Sequence, residues 1–215
     1  MFPVSDVIPS RTTPYVTIGL IVVNALAFLL EVTMSDRELQ RFLMVYGAVP
    51  AYLSVTSIVT SMFLHSGWLH FGGNMLYLWI FGDNVEDRVG HGRFFVFYIL
   101  CGMAAALTQT IINPDSVVPM VGASGAIAGV MGGYLLLYPH ARIRTIGRFG
   151  LIYVPAWMML GFWVLTQVLA GAAQWGGKEM GGVAYAAHVG GFVAGMLLVH
   201  LFAQGEAMPR RATAP

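Results

Sequence analysis

The sequence predicts an all-α polytopic membrane protein with six transmembrane helices, on its composition, the spacing of its charges and the side on which the basic ones fall. Of 215 residues, 57% are hydrophobic and 10% charged. Mean hydropathy is +0.72, whereas a soluble domain carries about 25% charged residues. Charge-free runs occur at 12–30, 42–82, 94–114, 116–139, 149–177 and 180–204, and each can supply the roughly 20 apolar residues a helix needs to cross the hydrocarbon. The second run holds one helix plus an embedded loop. With six spans and both termini cytoplasmic, Arg11, Arg88, Arg93, Arg142, Arg144, Arg148, Arg210 and Arg211 lie inside, and only Arg37, Arg41 and Lys178 outside. This satisfies the positive-inside rule.

Taken in order, 1–13 is a cytoplasmic N-terminal segment, 14–203 the six-helix membrane domain and 204–215 a cytoplasmic tail. The first segment lacks the pattern of a cleaved signal peptide. Pro14 opens the first helix, where its missing N–H costs nothing, and the helix ends near Glu31. Residues 31–56 mix charges with aromatic residues, as expected of an outer loop lying partly in the membrane interface. The second helix runs inward to about Gly82, "GDNVEDRVGHGR" forms an inner turn, and the third leaves near Phe94 and stops at Pro114. The fourth, from Ser124 to about Tyr138, has roughly 15 residues and is about 22 Å long, short of the roughly 30 Å hydrocarbon core. Something must therefore cover its outer end. The fifth spans about Leu151 to Ala170, and the sixth about Val183 to Ala203. Between them, Gly176, Gly177, Gly181 and Gly182 predict a mobile outer cap.

Net charge of +1 gives no basic surface for nucleic acid, and the inner arginines suit membrane lipid headgroups. Cys101 is the single cysteine, so neither an intramolecular disulfide nor a cysteine metal cluster forms. No metal or cofactor is expected. No oligomeric state follows from the sequence.

Topology brings His70 and Asn74 of the second helix, Ser124 of the fourth and His188 of the sixth to one depth in the outer leaflet. His70 and Asn74 are four apart and share a helix face. Taken singly, each has a bland reading. Ser124 sits among Gly125, Gly129 and Gly133, a small-residue face that packs helices closely, and the others read as hydrogen-bonded interior side chains. Together they form a chemical set. A serine hydroxyl needs an adjacent base, most often histidine, and the oxyanion it creates needs preorganised donors. Ser124 and His188 supply the first requirement; His70, Asn74 and the Ser124 N–H supply the second. No intramembrane carboxylate lies at this depth, so the economical arrangement is a Ser–His dyad.

These residues stand in "HFGGN", "GASGAIAG" and "AHVGGFVAG", which resemble the three motifs of the rhomboid family of intramembrane serine proteases, in its bacterial six-helix form. Every motif position matches: His70 and Asn74; Gly122, Ser124 and Gly125; Ala187, His188, Gly191 and Gly195. The resemblance implies a short central fourth helix, a water-filled cavity opening outward in a bacterial inner membrane, and cleavage of single-pass transmembrane protein substrates. It implies Ser124 as nucleophile, His188 as base and then acid, and Gly122, Gly125, Gly191 and Gly195 as the packing residues of the site. It also implies a small subsite beside the scissile bond, and a bracing role for Glu86, whose bland reading is a solvated turn carboxylate. Many relatives place an aromatic residue against the catalytic histidine one turn after the serine; this chain has Ala128. Two other classes of function are weighed beside the protease: a non-proteolytic rhomboid-like protein that binds transmembrane helices, and a histidine-lined proton pathway, which lacks the carboxylates expected of one.

Overall fold

The computed structural model describes residues 2–148, 150–175 and 183–203. The expected cap glycines at 176–177 and 181–182, Lys178 and the tail at 204–215 lie outside them. The expected helices appear as α1 (Tyr15–Glu31), α4 (Trp68–Val89), α5 (His91–Ile112), α6 (Ser124–Leu137), α7 (Ala156–Trp175) and α8 (Tyr185–Phe202). By length and composition, α5, α7 and α8 suffice to cross a membrane, while α1 and α6 are apolar but shorter. On α1, buried Thr17, Leu20, Asn24, Phe28 and Glu31 alternate in helical rhythm with exposed Val22, Val23, Leu26, Leu29 and Leu30. Such an outward apolar face suits lipid rather than water.

The segment after α1 is folded rather than extended. It contains α2 (Asp36–Tyr46) and α3 (Val55–Ser61), separated by a single 3-10 turn at Pro50–Tyr52. A capping box opens α2, with the Ser35 amide and hydroxyl both donating to Glu38 Oε2. This segment lies against the turn that leads into the N-terminal end of α6. Ala48 and Met120 pair through their backbones, the Ala51 amide donates to Ser116 O, and the Gly122 amide to Ser61 O at 2.9 Å.

Three expectations need correction. The all-α class omits a three-stranded antiparallel sheet, order β1-β2-β3, made of β1 (Phe2–Asp6), β2 (Arg142–Gly147) and β3 (Gly150–Pro155). In "RIRTIG", Arg142 and Arg144 face out and Ile143 and Thr145 face in, the two-residue period of a strand. The fifth helix accordingly begins at Ala156 instead of near Leu151, because the apolar residues of β3 extended the charge-free run without being helical. The second helix continues to Val89, and the inner turn shrinks to Gly90, whose φ of +87° suits glycine. Its acidic residues do not break the helix because they hold the N-terminal segment: Asp87 accepts from the Arg11 and Thr12 amides, Asp83 from Ser10, and Glu86 from Val16 and Thr17.

At the centre, α6 is enclosed from Ala126 to Tyr134 and packs against α4, α5 and α8. Small residues make the approach of α8 possible. A Cβ added at Gly195 would collide with the Gly129 carbonyl, and one at Gly191 with the Gly125 carbonyl. Backbone therefore meets backbone across this interface, as in close-packed membrane helices.

Candidate active site

Ser124 is the first residue of α6, and His188 lies in the first turn of α8. The glycine contacts bring these two helix starts together, and His188 Nε2 lies 2.8 Å from Ser124 Oγ. Both residues line an open cavity of about 1020 Å3, together with His70, Asn74, Met120 and Trp163. A second hollow of about 40 Å3 borders Ser124, lined by Ala105, Gly122, Gly125 and Ala187 among others.

On α4, His70 Nδ1 is 3.4 Å from the Ser66 amide and 3.1 Å from its hydroxyl. A backbone N–H can only donate, so Nδ1 accepts and the ring proton resides on Nε2. That Nε2 edge lies against Gly122, where an added Cβ would come within 2.6 Å of it. Gly122 has φ of +120°, so glycine is required there twice, by the turn and by the ring. Its place is the turn before α6 rather than the helix interface. Asn74, one turn below His70, is buried, and its Nδ2 has no hydrogen-bond partner among the described residues. A buried amide donor left unpaired costs about 1–3 kcal/mol, and unpaired donors at a cavity wall are available to a ligand. The Ser124 N–H, in the first turn of α6, is also free of helical bonding.

Two residues of α7 at the site were not anticipated. Gln167 Oε1 lies 2.8 Å from His188 Nδ1, and the Trp163 ring lies over the His188 ring at a centroid separation of 5.8 Å and a tilt of 37°. Trp163 approaches from α7, while Ala128 on α6 is wholly buried. Gln167 and Thr166 are adjacent polar residues inside a charge-free run, and a polar side chain at membrane depth is itself a signal of function or pairing. His65 packs edge to face against Phe28, Phe71 and His70, and its backbone amide donates to Glu31.

Comparison with known proteins agrees with this architecture. The family model described as "Rhomboid domain" matches residues 52–205. Rhomboid protein 1, mitochondrial, of Saccharomyces cerevisiae is 35% identical over 150 residues, covering 67% of this chain and 41% of that protein. Rhomboid protease GlpG of Serratia proteamaculans is 25% identical over 184 residues, 85% of this chain and 60% of its own. Rhomboid protease GluP of Bacillus subtilis is 37% identical over 93 residues, 42% of this chain and 18% of its own. The chain thus spans less than two thirds of the length of each. With a family model matching most of its residues, and with apolar helices packed through small residues, the chain belongs to the rhomboid family and is an integral membrane protein.

Proposed function

We propose that this protein is an intramembrane serine protease that hydrolyses peptide bonds in or near the transmembrane segments of other membrane proteins. The observation that carries the reading is the 2.8 Å contact between His188 Nε2 and Ser124 Oγ within a cavity. Ser124 Oγ attacks the scissile carbonyl carbon while His188 Nε2 takes its proton. The carbonyl oxygen becomes an oxyanion and receives hydrogen bonds from His70 Nε2–H, Asn74 Nδ2–H and the Ser124 N–H, aided by the positive end of α6. His188 then returns the proton to the leaving amine as the C–N bond breaks. Water, deprotonated by the same histidine, cleaves the acyl ester and restores the serine.

In this reading α1, α4, α5, α6, α7 and α8 are the six spans, both termini are cytoplasmic, and the cavity opens to the outer side of a bacterial inner membrane. The short α6 starts below the membrane surface, which places Ser124 where water and a transmembrane substrate can meet. Single-pass proteins are the proposed substrates, and lipid covers the exposed apolar faces.

The test is labelling by a fluorophosphonate serine-hydrolase probe, together with cleavage of a single-pass reporter in proteoliposomes. The native protein should label and cleave, and Ser124→Ala and His188→Ala should do neither. Labelling that persists in Ser124→Ala would remove the nucleophile assignment. Reporter binding with no cleavage by the native protein would favour a non-proteolytic, helix-binding role.

A further inference from the structure

A neutral imidazole carries one N–H. For His188 to accept a proton from Ser124, that N–H must sit on Nδ1, leaving the Nε2 lone pair toward the hydroxyl. In a dyad with no carboxylate, some other group has to fix this choice.

We infer that Gln167 is that group, a positioning residue that sets the tautomer and ring orientation of His188 from α7; the inference rests on the protease reading above. Glutamine can present either its oxygen or its NH2 to a neighbour, and Thr166 decides which. The Thr166 hydroxyl donates to the Trp163 carbonyl at 2.6 Å, so its oxygen is left to accept, and Gln167 Nε2 lies 3.3 Å from it. With the NH2 group held by Thr166, the carboxamide oxygen faces His188. Nδ1 therefore donates to Gln167 Oε1 at 2.8 Å, and Nε2 accepts from Ser124 Oγ at 2.8 Å. Every donor and acceptor from the Trp163 carbonyl to the serine hydroxyl is assigned by this relay.

During acylation the serine proton moves to Nε2 as the Oγ–C bond forms, while the Nδ1–H bond to Gln167 persists. The amide oxygen holds the imidazolium with a dipole, where an aspartate would use a charge. Trp163 packs against the imidazole ring at a centroid separation of 5.8 Å. Both restraints on His188 thus come from α7, a helix whose Phe162, Leu165, Val168 and Leu169 are exposed on its outer side.

The experiment combines reporter cleavage in proteoliposomes with imidazole 15N NMR of the full chain, the His188 signal being assigned by its loss in His188→Ala. Native protein should show the Nδ1–H tautomer. Gln167→Met, near-isosteric and without an acceptor, should mix the tautomers and lower kcat by about 10- to 100-fold with KM within about twofold, less than the roughly 10⁴-fold cost of a wrong tautomer in serine protease triads. Gln167→Glu keeps an acceptor at the same reach and should retain the Nδ1–H tautomer and at least a third of native kcat. Thr166→Val, which frees the amide to turn, should fall between. An unchanged tautomer in Gln167→Met, or Gln167→Glu as impaired as Gln167→Met, would overturn the assignment. The NMR readout needs no turnover, so it decides the role of Gln167 even if the native protein proves unable to cleave. A cleaving native protein whose Gln167→Met variant is unaltered in both readouts would defeat this inference alone.

Discussion

Glu86 caps Thr17 from another helix. The carboxylate is wholly buried near the C-terminal end of α4 and accepts the Thr17 amide and hydroxyl, each at 2.7 Å, as well as the Val16 amide at 2.9 Å. No side chain of α1 itself caps that end, so its free N–H groups and positive dipole end are satisfied across the helix pair. His91 Nδ1 lies 2.5 Å from the same carboxylate, which ties the start of α5 to this point. Glu86→Ala should cost about 1.5–3 kcal/mol, the range of hydrogen bonds to a charged group, and Glu86→Gln less. Thermal unfolding in detergent measures both.

His70→Ala and Asn74→Ala should reduce kcat while leaving KM largely unchanged, with up to about 10²–10³-fold loss where one donor dominates. Steady-state cleavage of the reporter separates the two parameters. Native kcat in both variants would reduce these side chains to packing.

The small hollow beside Ser124, about 40 Å3, is walled by small residues, Ala105, Gly122, Gly125 and Ala187, and has room for about three waters. A reporter with alanine immediately before the cleaved bond should be cut at least tenfold faster than one with phenylalanine, the order of discrimination a steric pocket gives. Mass spectrometry of the products reads the site. Equal rates would show that this hollow is not the subsite.

Gly195→Ala should destabilise the fold by about 1–3 kcal/mol, the usual cost of overpacking, because the new methyl meets the Gly129 backbone. Gly19 and Gly161 have nothing within 4 Å of an added Cβ, and Ala at either should be neutral to stabilising. Unfolding temperatures compared across the three variants check this.

Asp6 on β1 accepts hydrogen bonds from the Tyr134 hydroxyl at 2.7 Å and from the Asn84 side-chain Nδ2 at 3.0 Å. Burial, followed by the nearby Asp83 carboxylate, pushes its pKa from 3.8 up to about 6 against the opposing Tyr134 bond. A carboxyl whose folded pKa is raised favours its protonated form in the fold, so the contribution of Asp6 is fully present below about pH 4 and is lost as pH rises through about 6. Asp6→Asn cannot ionise. The variant should therefore gain stability relative to the native protein between pH 4 and 7, an effect reduced by the partial exposure of the group to solvent. A gap in unfolding temperature that does not change across that range would exclude this origin.

Much of the helical frame was legible because charge-free length and arginine placement are one-dimensional properties of a membrane chain. The Ser124 helix was read from the Pro114 stop and the glycines after it, and its observed start is the same residue. Hydropathy failed where apolar residues did something other than span: 150–155 count toward a helix but pair as β3, their partner strand being hidden in an arginine-rich stretch. It failed also at 83–89, where acidic residues look like a solvated turn until the amides they cap are seen in space. At the site, His70, Asn74, Ser124 and His188 announce themselves by motif and spacing. Gln167 does not, because its meaning depends on a rotamer fixed by Thr166 and on the packing of α7 against α8, neither of which has a sequence period.

In the core, Phe81, Phe97, Tyr98 and Tyr134 are wholly buried, with Phe81 and Tyr134 packed edge to face at 4.9 Å. A hydrolase set inside a bilayer has to admit its co-reactant from one side without joining the two aqueous compartments. Under the proposed protease function, this buried aromatic cluster would act as a seal of that kind, so that residues which complete the core would also preserve the ion gradient of the surrounding membrane.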